Sequence, residues 1–455
     1  MQLENIHRIF FIGIGGIGMS ALARYFNAKG KVVSGYDKTS TLLTHELEQE
    51  GISITFEDSI DTLMLNADLV VYTPAIPQSH TQLNYYRDHH YLLKKRAEVL
   101  GALSNTHYNI CIAGAHGKTS TTTLTALLLK EGHKDVTAFL GGISLNFNSN
   151  FVDGNQYAVV EADEYDHSFL HLTPDIALVT SIDTDHLDIY GNFEAIQQSF
   201  TQFLSQVRYP GIIIINQKID PKVLPSGITH HTYSYDDLKA DYFASNIKSE
   251  EGISYFDLHT PHGIFKNIIL NYGGKHNIEN AVGASALALS VGVNEVDLRR
   301  GLSDFRGVRR RFQTIYKSPN YILIDDYAHH PREIEAVLNS VRGIYPKREI
   351  TVIFQPHLYS RTRDLATEFG SSLSIANRII LLPIYPAREL PIEGVSSKLI
   401  LDNISIENKE IVSKEDLIAY LKNHVNPGII MTVGAGDIDQ LTWPISELLK
   451  TIDQA

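Results

Sequence analysis

The run Asn109-Ile110-Cys111-Ile112-Ala113-Gly114-Ala115-His116-Gly117-Lys118-Thr119-Ser120 constrains the fold more than any other part of this sequence. Apolar residues enter a glycine turn, the turn ends in Gly-Lys-Thr, and an apolar-rich helical pattern follows from Leu124 to Lys130. A strand feeding a glycine turn that opens a helix is built to hold phosphate. The N–H groups of the turn point inward, and the helix N-terminus adds partial positive charge. Lys118 would reach the outer phosphates and the Thr119 hydroxyl would bind Mg2+. Only Ala115 and His116 separate Gly114 from Gly117, so the loop is shorter than the common Gly-x4-Gly-Lys-Ser/Thr pattern. A plain connecting loop would not account for the Lys-Thr pair or for the hydroxyl run Thr119–Thr123, because such residues are poor helix formers. The reading is ATP bound by Gly114, Ala115, His116, Gly117, Lys118, Thr119 and Ser120.

At 455 residues the chain exceeds one compact core, and two to four domains are expected. No apolar run approaches the roughly 18 residues a membrane span needs, and Met1–Asn5 does not begin like a signal peptide. One cysteine, Cys111, leaves no intramolecular disulfide and no cysteine-rich zinc site; its place in the strand predicts a small buried core residue. A net charge of −13 argues against a nucleic-acid binder working through a basic surface. The expectation is a cytoplasmic enzyme for small phosphorylated ligands, with no nucleic-acid or membrane partner.

Near the start, Ile9–Ile12 reads as a strand, Gly13-Ile14-Gly15-Gly16-Ile17-Gly18 as a loop, Met19–Asn27 as a helix, and Val32–Tyr36 as a strand ending at Asp37. This satisfies Gly-x-Gly-x-x-Gly with an acid about 20 residues on, the dinucleotide fingerprint. The physics specifies only a diphosphate at a helix N-terminus and a carboxylate near a ribose hydroxyl. NAD, a UDP-linked substrate, or a ligand-free Rossmann-like fold all satisfy it. Leu69–Tyr72 is a further strand, with Thr73-Pro74-Ala75-Ile76-Pro77 at its ligand-binding end, and the unit should close near Gly101–Tyr108.

Tyr157–Val160 is a buried strand ending in Glu161-Ala162-Asp163-Glu164-Tyr165-Asp166, and Ile176–Ile182 ends in Asp183-Thr184-Asp185-His186-Leu187-Asp188. Acids at strand tips beside a phosphate loop hold Mg2+, and His186 can ligate a second ion as neutral imidazole. Asp163, Asp166, Asp183 and Asp188 read equally well as helix caps. Glu161, first after its strand, reads as a metal ligand. Gly274-Lys275-His276-Asn277-Ile278-Glu279-Asn280 precedes a small-residue helix over Ala281–Ser290; His276 and Asn277 could meet a purine edge, although Asn277 in isolation reads as a cap. Arg306, Arg309, Arg310 and Arg311 lie between Phe305 and Phe312, a solvated charge run or a phosphoryl clamp.

A third α/β unit follows. Tyr321–Ile324 leads to Asp325-Asp326-Tyr327-Ala328-His329-His330-Pro331, with a helix from Pro331. Ile350–Phe354 leads to Gln355–Asp364, Arg378–Leu382 to Pro383–Ala387, and Ile429–Val433 to Gly434–Asp437. Strands that each end in polar, Gly or Pro clusters before helices imply a doubly wound sheet with its functional residues along the carboxyl edge.

Together Gly-Ala-His-Gly-Lys-Thr, Glu-Ala-Asp-Glu, Asp-His-Leu-Asp, Gly-Lys-His-Asn, the Arg-Arg-Phe ending at Phe312, and Asp-Asp-Tyr-Ala-His-His-Pro resemble the Mur ligase family, in the family's order and over nearly the whole chain. The resemblance implies an α/β protein of three domains: a Rossmann-like N-terminal domain (1–105) for the UDP substrate, a central P-loop ATPase-like parallel sheet (106–314), and a C-terminal Rossmann-like doubly wound sheet (315–455) for the amino acid. Gly13–Ser20 and Phe354–Asp364 further resemble members whose substrates are UDP-N-acetylmuramate, L-alanine and ATP. By motif, Gly13, Gly15, Gly16, Gly18, Asp37, Thr73 and Ala75 would hold the UDP substrate. Lys118 and its loop would hold ATP phosphates, Thr119 and Glu161 one Mg2+, and His186 a second. His276 and Asn277 would meet adenine, Arg310 or Arg311 the γ-phosphate, and Asp326 the ribose. His330, Arg361 and Tyr327 would face the amino acid. A monomer or homodimer is expected.

Three departures stand out. Ala115 and Tyr165 occupy positions where members often carry Thr and Ser, and Leu358 one where some carry a basic residue. No lysine lies between His186 and Pro210, so the carbamylated lysine of several relatives is not expected. The implied reaction is carboxylate attack on the γ-phosphate, then amine attack on the resulting acyl phosphate. Its rivals are a muropeptide-recycling ligase that takes a tripeptide, an NAD-dependent oxidoreductase, and a non-catalytic UDP-sugar binder.

Overall fold

A computed structural model describes residues 3–183, 190–387 and 389–454. The chain carries three sheets in three α/β domains. The first sheet comprises β1 (Arg8–Ile12), β2 (Val32–Tyr36), β3 (Ser53–Thr55), β4 (Leu69–Tyr72) and β5 (Leu93–Lys95), in the order β3-β2-β1-β4-β5. Every pairing is parallel. Phe10, Phe11 and Ile12 are buried on both faces of β1, the near-continuous apolar run that a covered parallel sheet demands. The strand order reverses at β1, so the Gly13–Gly18 loop emerges at the crevice where such sheets bind ligands.

The second sheet has ten strands: β6 (Tyr108–Ala113), β7 (Val136–Ser144), β8 (Ser149–Val152), β9 (Tyr157–Glu161), β10 (Ile176–Val179), β11 (Ile212–Asn216), β12 (Thr229–Ser234), β13 (Tyr242–Glu250), β14 (Ile253–Thr260) and β15 (Gly263–Leu270). β6 lies between β10 and β9 in parallel register, Ile110 facing Ile176 on one side and Val159 on the other. Cys111 is fully buried there. The loop after β6 therefore opens between the acid-bearing ends of β9 and β10. The antiparallel pairs β7–β8 and β14–β15 finish the sheet's two ends.

The helix after β6 spans Lys118–Glu131 and begins six residues before the apolar pattern does. Its threonines are inside: Thr119, Thr121, Thr122, Thr123 and Thr125 are all buried, and the Thr122 and Thr125 hydroxyls donate to the carbonyls four residues back. The helix expected over Ala281–Ser290 starts at Lys275, so Asn277 lies within its first turn and is not its cap. Gly274, at φ +106, is what brings the chain round to that start.

The first two sheets belong to one compact unit (residues 1–248, 253–272 and 276–306) and the third to another (249–252, 273–275 and 307–455). Within the first unit, Tyr25 of the Ile17–Ala28 helix packs on Phe139 and Phe151, with ring centroids 5.7 and 6.0 Å apart. Arg24 beside it, 5% exposed, donates to Glu50, Glu46 and Asn150, while the Asn150 amide donates to the Ile17 carbonyl and Ser20 hydroxyl. Apolar contact and a buried polar network thus join the two domains.

The third sheet runs β16-β17-β21-β18-β19-β20, from β16 (Gln313–Lys317), β17 (Tyr321–Asp326), β18 (Ile350–Phe354), β19 (Arg378–Leu381), β20 (Lys409–Ile411) and β21 (Gly428–Val433). All pairs are parallel except β16 with β17. Asp326 and Phe354 both register with Val433, which aligns the carboxyl ends of β17, β18 and β21 on one edge.

Candidate active site

The phosphate loop is held by its neighbours before any ligand enters. Gly114 and Gly117 take φ +131 and +82, conformations closed to most side chains. A Cβ on Gly114 would lie 2.1 Å from the Thr180 hydroxyl, and one on Gly117 2.5 Å from Asn280 Oδ1. The Ser181 carbonyl accepts from Ala115 N–H, the Ser181 hydroxyl accepts from His116 N–H, and Thr180 Oγ1 donates to His116 O. His116 stands 3.6 Å from Asp183. Thr180, Ser181 and Asn280 are positioning residues that the sequence alone did not single out. Asn280 was inside a noted motif, but its contact depends on where the Lys275–Ser290 helix begins.

Lys118 Nζ donates to Gly114 O at 2.6 Å and pairs with Glu164 at 2.8 Å. Glu164 is 4% exposed. Burial disfavours the ammonium, but Glu164, Glu161 and Asp163 outweigh it and hold Lys118 above the ordinary lysine pKa. Thr119 Oγ1 donates to Glu161 Oε1 at 3.1 Å, while Glu161 Oε2 accepts from Gly141 N–H at 3.1 Å. A hydroxyl and a carboxylate converge at the loop, the hard oxygen set that Mg2+ requires. His186 and Asp188, and Asp185 with them, lie outside the described residues. Among the described residues no group of three His, Cys, Asp or Glu side chains comes together as a metal cage. Ser120, next along the helix, is half-buried.

In the N-terminal domain, Gly13 takes φ +87 and donates to the Tyr36 carbonyl. Asp37 accepts from Gly15 N–H at 2.8 Å and from Thr39 N–H at 3.1 Å. Its carboxylate therefore shapes the glycine loop. Gly16 is the helix N-cap. Thr73 lies against Gly13, and its hydroxyl accepts from Ala75 N–H at 3.4 Å.

Across the mouth of this loop, Ile17, Gly18, Arg96, Leu140, Glu161 and Asp163 line a cleft that reaches to the Thr119–Glu161 pair. Asp163 accepts from Tyr165 N–H, and Asp166 pairs with Lys95 at 3.2 Å. His276 is exposed and Asn277 half-buried, both in the first turn of the helix whose Asn280 meets Gly117.

In the other unit, Asp326 ends β17, 8% exposed, and accepts from the N–H groups of Phe312 and Ala328 at 2.7 and 2.8 Å. Burial raises its pKa against the pull of Arg311 and those N–H groups. The neighbouring Asp325 is pushed up to about 6, mainly by burial, although Arg310 and the Thr432 hydroxyl oppose this. Arg310 and Arg311, interchangeable in sequence, separate here. Arg310 donates to the Gly434 and Gly436 carbonyls and stands 3.6 Å from Asp325 and Asp439. Both guanidiniums lie over the Tyr327 ring, at 5.0 and 5.4 Å.

His330 caps the Pro331–Ile344 helix, and Glu333 Oε2 accepts from the N–H groups of His329 and His330. His329 is held below the ordinary histidine pKa by burial and then by Arg361 and Arg311, against Glu333. Glu333 itself resists burial through His329, those N–H groups and Arg311, and sits low. Arg361 lies on the short Tyr359–Asp364 helix, whose cap Leu358 takes φ +72. Glu333, four residues past His329, is a partner that the sequence reading missed.

Three family profiles match the chain: "Mur ligase family, catalytic domain" over residues 8–108, "Mur ligase middle domain" over 112–288, and "Mur ligase, glutamate ligase domain" over 310–436. The chain is 47% identical to UDP-N-acetylmuramate–L-alanine ligase of Porphyromonas gingivalis over 454 residues, 98% of this chain and 99% of that protein. It is 46% identical to the enzyme of the same name from Flavobacterium johnsoniae, covering 99% of each. The crystal structure of UDP-N-acetylmuramate–alanine ligase from Thermotoga maritima superposes with a TM-score of 0.83 at 26% identity, covering 98% of this chain and 99% of that one. With three matched domains in the same order as the three sheets, the chain belongs to the Mur ligase family.

Proposed function

We propose that this chain is an ATP-dependent ligase that joins L-alanine to the lactyl carboxylate of UDP-N-acetylmuramate, in peptidoglycan precursor synthesis. The observation that carries the reading is that Glu161, which accepts from the Thr119 hydroxyl and helps hold the charge on Lys118, lines one cleft together with Gly18 of the glycine loop. The names of relatives near half identical over their full length supply the substrate class. The domain limits we assign are 1–105 for UDP-substrate binding, 106–314 for ATP and 315–455 for the amino acid. No helix among the described residues is long and apolar enough to cross a membrane. We assign the chain to the cytoplasm, as a monomer or homodimer working on small molecules.

In the mechanism we propose, a lactyl carboxylate oxygen attacks the γ-phosphorus and ADP leaves, which yields an acyl phosphate. The alanine amine then attacks the acyl carbon, and inorganic phosphate departs. The first step brings like charges together, so positioning and charge neutralisation dominate. Lys118 supplies positive charge at the outer phosphates. Arg310 or Arg311 would meet the γ-phosphate; Arg310 donates to the Gly434 and Gly436 carbonyls. Mg2+ at Thr119 and Glu161, with a second ion at His186, would neutralise phosphate charge. Asp326 would hold the ribose, and His330, Arg361 and Tyr327 the amino acid. The test is phosphate release from ATP with UDP-N-acetylmuramate and each amino acid in turn. Release that requires the donor and is fastest with L-alanine supports the reading; release only with a tripeptide acceptor refutes it.

A further inference from the structure

The cleft between the first two domains contains an arginine that the assignments above leave without a task. Arg96 follows β5 directly and opens the Arg96–Ser104 helix. Its side chain is 21% exposed, and its one charged partner among the described residues is Asp163, at 3.6 Å. That exceeds hydrogen-bond range, and a guanidinium carries five N–H donors. Arg24, on the same domain boundary, shows what a purely structural arginine looks like here: its donors go to Glu50, Glu46 and Asn150.

Arg96 lies against the third glycine of the N-terminal fingerprint. A Cβ on Gly18 would stand 2.6 Å from Arg96 Nη1 and 3.1 Å from its Cδ, so Gly18 leaves room for the guanidinium. Glu161 and Asp163 line the same cleft. Two carboxylates would repel an anionic ligand, and Lys118, tied to Glu164, is not among the residues that line the cleft. Arg96 is the one cation among the residues that line this cleft, with the bidentate chemistry that suits phosphate or carboxylate.

We propose that Arg96 is a substrate-positioning residue that binds an oxyanion of the nucleotide-sugar acid between the Gly13–Gly18 loop and the Thr119–Glu161 pair. This rests on the donor assignment made above. Titration calorimetry without ATP, using UDP-N-acetylmuramate and UDP as probes, tests it on Arg96→Met and Arg96→Lys. Arg96→Met should weaken UDP-N-acetylmuramate binding about tenfold or more, with Arg96→Lys in between and the Kd of a non-hydrolysable ATP analogue unchanged. An equal loss for UDP places the contact on the diphosphate, and a loss confined to the acid places it on the carboxylate. Wild-type Kd values in Arg96→Met overturn the proposal. If that variant fails to fold, Asp163→Asn decides: it releases the guanidinium and should tighten donor binding about threefold or more, and unchanged affinity overturns it. Wild-type protein that binds neither probe, while binding the ATP analogue, would refute the donor assignment itself.

Discussion

Gly141→Ala is a small change with a calculable consequence. A Cβ at position 141 would lie 2.2 Å from Glu161 Oε2 and 2.4 Å from its Cδ and Oε1. To reach ordinary contact distance the carboxyl group must move by about 1 Å. That movement breaks the hydrogen bonds it accepts from Gly141 N–H and from the Thr119 hydroxyl, each 3.1 Å long. Hydrogen bonds to a charged group are worth about 1.5–3 kcal/mol each, and water can replace part of that around a half-buried carboxylate. A net loss of about 1.5–3 kcal/mol at the metal position corresponds to roughly 10- to 100-fold weaker apparent Mg2+ affinity. The assay is Mg2+ titration of phosphate release, paired with metal-free nucleotide binding and thermal melting as controls. A folded Gly141→Ala protein with the wild-type Mg2+ dependence would refute the role given to Glu161.

Lys118→Ala should lower kcat by about 10²–10³-fold, the scale of one charged donor at a transition state, and near-normal turnover would remove Lys118 from catalysis. It also removes the ammonium paired with the buried Glu164 carboxylate, at about 3–5 kcal/mol of stability by denaturant titration; adding Glu164→Gln should restore stability without restoring turnover. Asp325, with its pKa raised to about 6, binds its proton more tightly folded than unfolded, so its contribution falls as pH rises from about 4 to 6. The stability of wild type relative to Asp325→Asn should therefore drop by about 2–2.5 kcal/mol between pH 4 and pH 7. Gly343, in the Pro331–Ile344 helix, has open space where a Cβ would go, and Gly343→Ala should stabilise by about 0.5–1 kcal/mol in thermal unfolding.

Strands were the most legible elements. Val32–Tyr36, Leu69–Tyr72 and Ile350–Phe354 coincide with their apolar runs, because a strand covered on both faces leaves few polar positions to blur its ends. The Lys118–Glu131 and Lys275–Ser290 helices both begin earlier than their apolar periodicity, since their first turns carry polar residues that serve the site. The β14–β15 pair escaped notice: its outer strand is largely exposed and lacks a continuous apolar signal.

The glycine turn between β6 and its helix, and the place of Glu161 at the end of β9, were readable because each is contiguous in sequence. Glu164, Thr180, Asn280 and Arg96 were not, since each acts on a partner that only the sheet order brings near. Arg310 and Arg311 are adjacent and identical in type, and only their different neighbours tell them apart.

If Lys118 holds the outer phosphates as proposed, its buried contact with Glu164 gives nucleotide entry the character of an ion exchange. An arriving phosphoryl group must take over an ammonium already satisfied by the protein's own carboxylate, so the net number of opposite-charge contacts barely changes. On that proposal, Glu164 would compete again for the lysine once the phosphoryl group has left.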